Sequence, residues 1–455
     1  MTNVEAGSPG RLTSAVSDPP RTLGLLSATA LVVGHTIAVG IFLTPAELIG
    51  ALASPALTLG LWLACGALIL AGALTFGELA ARYPRAGGPY VYLREGWGER
   101  VAFLYGWQSV LVMDPGVTAA LASGLAQYLI VLWPASSGSE KLLAIAAIWT
   151  VTLMAMTGLT LSARTLGVLT ALKLLAVIAI VVAAFTIGNG SWSNLAPFAE
   201  RRAGGPPLME ALALGLVGTF FSFGGFWEAS RVAGEIRNPG RTLPLALAIG
   251  VTCVTFVYVL TALAFMYLVP VEHATSAAEL ARRAGEAVLG PAGPAAFASI
   301  VVLSVAASAL ALVMMAPRVY LAMNHDGLFP SVLAAVRPGT GTPARAMLLL
   351  ATLASGYVLA GTFQQIVAFF ICTALSFIAL AAAALFVVRR RAPDATPFNA
   401  PGYPLTPALF VLLIVIVVLL VLMARPVEAL AGVVVVLLGL PARRILLKTS
   451  GVKDR

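Results

Sequence analysis

The sequence is poor in the residues that most soluble enzymes depend on. Charged side chains make up 10% of its 455 residues, and it has only three histidines and three cysteines, whereas soluble chains are about a quarter charged. Cys65, Cys253 and Cys372 all lie inside apolar runs, which argues against a disulfide framework. No Asp, Glu, His or Cys cluster has metal-ligand spacing, and no Walker-type phosphate loop is present. We therefore expect no metal, no other cofactor and no direct use of ATP.

Apolar residues dominate the composition instead. They form 60% of the chain, and the mean hydropathy of +0.96 indicates a polytopic all-α membrane protein. A spanning helix needs about 20 mainly apolar residues, and this length predicts twelve segments. The predicted segments are Leu23–Gly50, Ala56–Ala80, Val101–Trp133, Leu142–Leu161, Leu166–Ile187, Met209–Val232, Leu243–Val269, Pro294–Met323, Ala344–Thr362, Gln364–Val388, Leu405–Met423 and Val427–Leu440.

The distribution of positive charge predicts the orientation. The formal net charge of +9 could indicate an anionic partner such as nucleic acid. However, with the N-terminus inside, most Lys and Arg residues fall in short cytoplasmic loops, as the positive-inside rule requires. We therefore expect no nucleic-acid partner, and a multi-pass protein of the cell (plasma or inner) membrane with both termini cytoplasmic.

Two segments carry glycines and polar residues where an anchor would carry Leu or Ile. Val32–Phe42 reads VVGHTIAVGIF in segment one, and Phe220–Arg231 reads FFSFGGFWEASR in segment six. One glycine alone indicates close helix packing. Interruptions at corresponding places in two successive sets of five helices instead indicate an inverted-repeat transporter with its site at the breaks. The free N–H groups of a half-helix would suit a carboxylate.

Four motifs resemble the amino acid–polyamine–organocation permeases. Gly34–Phe42 is similar to the family's first-helix pattern G-S/T-x-I-G-S-G-I-F. Gly77–Gly98 is similar to its first cytoplasmic loop, Ala233–Pro244 to the stretch before helix seven, and Pro317–Pro330 to the pattern after helix eight. The context of Asp114-Pro115 and Phe221–Phe226 is closer to the L-type, neutral amino acid branch.

The resemblance implies a LeuT-like fold of two inverted five-helix repeats, with helices 1 and 6 interrupted and two further C-terminal helices. The expected parts are a disordered cytoplasmic N-terminus (1–20), a first repeat (21–190), a second repeat (205–390), helices 11 and 12 (400–445) and a cytoplasmic tail (446–455).

The expected substrate site lies at the two breaks. The substrate carboxylate would bind N–H groups at the first break, and its amino group would bind free carbonyls at both breaks. The expected binding residues are Thr36, Ile37, Ala38, Val39, Gly40, Phe221, Ser222, Phe223 and Gly224. The family's G-S-G is Ala38-Val39-Gly40 here, so a side-chain hydroxyl that often helps to hold the carboxylate is missing.

Three residues are candidates for coupling or gating. Lys173 matches a fifth-helix lysine whose ammonium lies where relatives bind sodium, although a lysine near a helix end could also snorkel to the interface. Ser308 matches a family position near the coupling-ion region. His35 lies at the first break and could titrate near physiological pH, or could be a core histidine bonded to unwound carbonyls.

Four residues near the second break or in helix three have weaker signals. Glu228 could receive a substrate ammonium, but pairing with Arg231 at i+3 is the simpler role. Asp114 precedes Pro115 and could be functional or could sit in a kink. Phe221 is the preferred aromatic gate, whereas Trp227 could be packing only.

These observations predict a secondary transporter that moves amino acids by alternating access, independently of sodium, through proton symport or amino acid exchange. Alternatives are a polyamine or other organic-amine carrier, a membrane-embedded enzyme using His35 or His325-Asp326, and a transporter-like nutrient sensor. The expected partners are the amino acid, possible protons and membrane lipid, with no obligatory partner subunit.

Overall fold

The computed structural model describes residue 21 and residues 23–450, except 86, 137, 158, 204, 275, 338–341 and 394–396. The predicted disordered segment 1–20 and the end of the tail, 451–455, lie outside the described residues. Within the described part the secondary structure is helical, apart from one isolated bridge between Leu23 and Ile236.

The first half of the chain contains eight α-helices. They are α1 (Leu25–Thr36), α2 (Gly40–Leu52), α3 (Pro55–Arg82), α4 (Pro89–Trp97), α5 (Glu99–Gln108), α6 (Asp114–Leu132), α7 (Glu140–Met156) and α8 (Leu159–Thr186). A π-helical turn, Ser109–Met113, joins α5 to α6 within one continuous span.

The second half of the chain contains eleven α-helices. They are α9 (Leu208–Ser222), α10 (Pro239–Leu268), α11 (Ala277–Leu289), α12 (Gly293–Met315), α13 (Pro317–His325), α14 (Ser331–Ala334), α15 (Ala344–Ala360), α16 (Phe363–Arg391), α17 (Leu405–Ala424), α18 (Pro426–Leu437) and α19 (Gly439–Ser450). Because α19 continues to Ser450, the beginning of the predicted tail is helical.

Nine helical stretches in the described residues are long and apolar enough to cross a membrane, or ten if the bent pair α1–α2 is one span. The helices α7 and α15, each of 17 residues, occupy the two remaining predicted segments but are shorter. The polytopic all-helical fold is therefore confirmed, whereas the count of twelve stays a prediction.

The core of the bundle lies around the two interrupted stretches. The helix α1 packs on α10, α2 packs on α9, and α12 packs on α6. The residues Thr36, Gly40, Ser222 and Ser308 are all buried where these helices meet. Polar backbone and hydroxyl groups are thus gathered inside an otherwise apolar bundle.

Candidate functional site

The first predicted interruption is present in the structure. The helix α1 ends at Thr36, α2 begins at Gly40, and the two axes differ by 49°. The first N–H groups of a helix have no partner inside it, so the start of α2 presents free donors beside Ala38 and Val39. The hydroxyl of Thr36 is already occupied, since it donates to the Val32 carbonyl at 2.8 Å.

The second predicted interruption follows α9. That helix ends at Ser222, and the chain continues as a 3-10 helix, Phe226–Glu235. Gly225 has a φ of +100°, a conformation that side chains with a Cβ rarely adopt. A Cβ there would also lie 3.2 Å from the His35 carbonyl oxygen, so the two breaks face each other.

A tyrosine that the sequence did not single out joins the two breaks. The Tyr258 hydroxyl, from α10, lies 2.8 Å from the Thr36 carbonyl oxygen and 2.9 Å from that of Ser222. Its single proton can be donated to one of them at a time. The sequence signal was a tyrosine within an apolar helix, because a buried tyrosine hydroxyl usually has a hydrogen-bond partner.

A cavity of about 110 Å³ lies between the two breaks. The predicted residues that line it are His35, Thr36, Ala38, Val39, Gly40, Phe221, Ser222, Gly224, Trp227, Glu228 and Ser308. Ile37, Phe223, Lys173 and Asp114 are buried but do not line it. Sequence reasoning missed the apolar wall from α16, which includes Phe370 and Ile371. Nothing in an apolar helix distinguishes its cavity-facing side chains beforehand.

Lys173 is buried behind the first break. It is 1% exposed, and its ammonium donates to the Gly34 carbonyl at 2.5 Å and to the Ser308 hydroxyl at 2.9 Å. The side chain therefore does not snorkel to an interface. It links α8 and α12 to the end of α1.

Glu228 and Asp114 belong to one buried charged cluster around Arg231. The Arg231 Nε lies 2.8 Å from Glu228 Oε2, and its Nη1 lies 3.7 Å from Asp114 Oδ1. Two tyrosines complete the cluster, since Tyr105 accepts from Arg231 at 3.3 Å and Tyr320 donates to Asp114 at 2.9 Å. The predicted Glu228–Arg231 pairing is therefore found, and Asp114 shares the same arginine.

Some polar atoms at the cavity floor have no aligned hydrogen bond. They are His35 Nε2, Trp227 Nε1 and both carboxylate oxygens of Glu228. The three side chains line the cavity together. In the described residues no group of three or more His, Cys, Asp or Glu side chains could hold a metal ion. The His35, Trp227 and Glu228 groups that line the cavity can bind a hydrogen-bonding organic ligand, water or a proton.

Two further cavities lie on either side of the central one. The first, of about 450 Å³, is lined by Glu47, Phe363 and Arg425 and shares Phe221 and Ile371 with the central cavity. We call it the vestibule. The rings of Phe221 and Phe363 meet edge to face at 6.2 Å.

The second is about 1040 Å³ and shares no lining residue with the central cavity. It is lined by Arg21, Arg82, Arg85, Arg94 and Arg318, and we call this side the basic face.

Several contacts close the basic face. Leu23 N–H donates to the Glu235 carbonyl at 3.0 Å, and Arg318 pairs with the Glu235 carboxylate at 3.0 Å. Asp326 accepts from Arg94 at 2.8 Å and from the Tyr90 hydroxyl at 2.7 Å. Burial and this carboxylate raise the pKa of Tyr90, so its hydroxyl remains a donor at physiological pH.

A bundle of membrane-length helices with two facing breaks around a central cavity defines a membrane transporter of the inverted-repeat class. Residues 23–438 match the family described as "amino acid permease", so the chain belongs to that family, within the amino acid–polyamine–organocation superfamily. The family and the relatives described below are transporters. The alternative of a membrane-embedded enzyme is therefore set aside.

Three relatives illustrate the similarity. The human "Cystine/glutamate transporter" is 28% identical over 93% of this chain and 84% of its own length. The "b(0,+)-type amino acid transporter 1" of Oryctolagus cuniculus is 30% identical over 83% of this chain and 79% of its own. A "Serine/threonine exchanger" of Bacillus subtilis is 26% identical over 86% of this chain and 89% of its own length.

Proposed function

We propose that this amino acid permease is a sodium-independent amino acid transporter that works by amino acid exchange or proton symport. The observation that carries the proposal is the central cavity between the two broken helices. It offers free N–H groups at one end of α2 and carbonyl groups at both breaks, which are complementary to the carboxylate and ammonium of an α-amino acid.

The substrate carboxylate would bind the N–H groups of Ala38, Val39 and Gly40, with Ile37 positioning the turn. The substrate ammonium would meet the carbonyls near Thr36 and those of Phe221, Ser222 and Gly224. The Tyr258 hydroxyl lies within hydrogen-bond distance of the carbonyls of Thr36 and Ser222 and donates to one of them at a time. Phe223 supports this arrangement from behind, because its ring packs on Trp62 and Tyr258.

Lys173 takes the role that a sodium ion would have in coupling. Its ammonium already bonds the Gly34 carbonyl and Ser308, which are oxygen ligands of the kind that bind hard cations. A positive charge there disfavours a second cation. His35 follows Gly34 directly in the sequence and lines the cavity. It would transmit conformational changes at the contact between Lys173 and Gly34 to the cavity.

Alternating access would proceed between the vestibule and the basic face. Phe221 is the proposed gate towards the vestibule, because it separates the two cavities. We place the basic face and both termini in the cytoplasm of a cell membrane, following the positive-inside rule. The moving parts would be the repeats at 21–190 and 205–390, with 400–445 outside them.

The chain is proposed to act without an obligatory partner subunit. One similar protein is named "Large neutral amino acids transporter small subunit 2", and that name describes a subunit. The three cysteines here lie at positions 65, 253 and 372 inside helices. They are therefore poorly placed for a covalent link to a partner outside the membrane.

Uptake by proteoliposomes tests this proposal. Vesicles preloaded with unlabelled amino acids or left empty would receive labelled neutral, cationic and anionic amino acids and polyamines. Amino acid uptake that requires preloading supports exchange, and uptake into empty vesicles driven by a proton gradient supports symport. Uptake of polyamines alone would contradict the proposal and favour the alternative carrier. Binding without flux would favour a sensor.

A further inference from the structure

The cluster around Arg231 carries an imbalance of charge. Asp114 and Arg231 are 0% exposed and Glu228 is 4% exposed. Two carboxylates and one guanidinium give a net charge of −1 if all three are ionised. A buried charge without a partner is strongly destabilising.

Among the described residues, no other cation is paired with Asp114 or Glu228. Lys173 is engaged with Gly34 and Ser308, and Arg318 is paired with Glu235 at the basic face. The titratable groups that face the cluster are His35 from α1, Tyr105 from α5 and Tyr320 from α13. The tyrosine hydroxyls are neutral, and both already interact with members of the cluster.

Glu228 connects the cluster to the central cavity. Its carboxylate lines the cavity beside the Trp227 indole N–H, and neither oxygen has an aligned hydrogen bond even though Arg231 Nε is only 2.8 Å away. Asp114 lies behind it and receives the Tyr320 hydroxyl. The π-helical turn Ser109–Met113 directly precedes Asp114, and such turns are frequent at functional sites.

We infer that Glu228 and Asp114 together bind one exchangeable proton, which enters and leaves through the central cavity by way of Glu228. Protonation converts one carboxylate into a carboxylic acid, so the net charge of the cluster changes from −1 to zero. On release, the proton passes to water or substrate in the cavity, and an ammonium entering there replaces its charge. The role of this proton in coupling rests on the proposed transport function.

Infrared difference spectroscopy of the lipid-reconstituted protein tests the inference without any substrate. At neutral pH the wild type should show the C=O stretch of a buried carboxylic acid, with a downshift in D₂O. Because Arg231 balances a single carboxylate, the band should disappear completely in Glu228→Gln and also in Asp114→Asn. Glu78→Gln is the matched control.

The control is informative because Glu78 is also buried but pairs with both Arg82 and Arg389. Its substitution should leave the band unchanged. A wild type without the band overturns the inference, and so does a band that survives in either Glu228→Gln or Asp114→Asn. Thermal unfolding of each variant confirms that it is folded.

The infrared result and the uptake panel can fail separately. A band that behaves as expected in a protein without amino acid uptake would refute the proposed function and retain the proton site. Amino acid uptake in a protein without the band would refute the proton site and retain the proposed function. Where the wild type shows both the band and proton-coupled uptake, its uptake changes the pH of the vesicle interior. Uptake by Glu228→Gln should no longer do so.

Discussion

Gly40, at the start of α2, lies directly against Ser222, at the end of α9. A Cβ at this position would lie 2.7 Å from both the Cα and the hydroxyl oxygen of Ser222, so backbone as well as side chain would have to move. We expect Gly40→Ala to reduce uptake about tenfold or more, since overpacking costs about 1–3 kcal/mol and 1.4 kcal/mol is a factor of ten.

The matched control is Gly60→Ala in α3, where an added Cβ meets nothing within 4 Å. Alanine has the higher helix propensity, by about 1 kcal/mol, so this variant should keep full uptake and unfold at the same or a higher temperature. Equal uptake by the two variants would show that the close approach at Gly40 is unimportant.

We expect the Tyr258 hydroxyl to contribute more to uptake than the Tyr258 ring does. Tyr258→Phe keeps the packing on Trp62 and Phe223 but leaves the carbonyls of Thr36 and Ser222 without their donor. A lost buried hydrogen bond costs about 1–3 kcal/mol. We therefore expect a higher KM for uptake, by up to about tenfold, and a lower unfolding temperature. Tyr267→Phe, at the far end of the same helix, should change neither.

At the scale of single residues, the functional side chains could be predicted from the sequence better than the groups that they contact. His35, Lys173 and Glu228 were recognisable because polar groups are rare and costly inside a membrane. The partners of Lys173, by contrast, are 139 and 135 residues away in sequence. Such contacts depend on how α1, α8 and α12 pack, which periodicity in one helix cannot specify.

At the scale of helices, both interruptions were predictable because glycines and polar residues replaced Leu and Ile there. The π-helical turn before Asp114 was not, although Pro115 indicated an irregularity nearby. The ten-residue 3-10 stretch Phe226–Glu235, which is kinked at Val232, was also unexpected, since its apolar and polar residues suit an α-helix equally well. The geometry of these turns depends on the neighbouring helices.

The ion pair between Glu235 and Arg318 links the end of the second broken helix to α13. Glu235→Gln should weaken closure of the basic face and speed maleimide labelling of Met314→Cys, which lines that cavity, in a chain without the three native cysteines. Glu140→Gln, an exposed carboxylate at the start of α7, is the control. An unchanged labelling rate would mean that this pair does not hold the face closed.

The orientation of the whole molecule can be tested with two exposed arginines. In a cysteine-free chain, a membrane-impermeant maleimide added outside intact cells should label Arg425→Cys but not Arg390→Cys. The positive-inside rule predicts this result because it places most loop Lys and Arg residues in the cytoplasm. The opposite labelling pattern would reverse the proposed topology.

The absence of sodium coupling is the central claim about the whole molecule. Uptake of labelled amino acids should be measured in proteoliposomes with and without an inward sodium gradient, at a fixed membrane potential, for the wild type and Lys173→Ala. The account predicts sodium-independent uptake by the wild type and lost or uncoupled uptake by Lys173→Ala. Sodium-driven uptake that is the same in both proteins would contradict it.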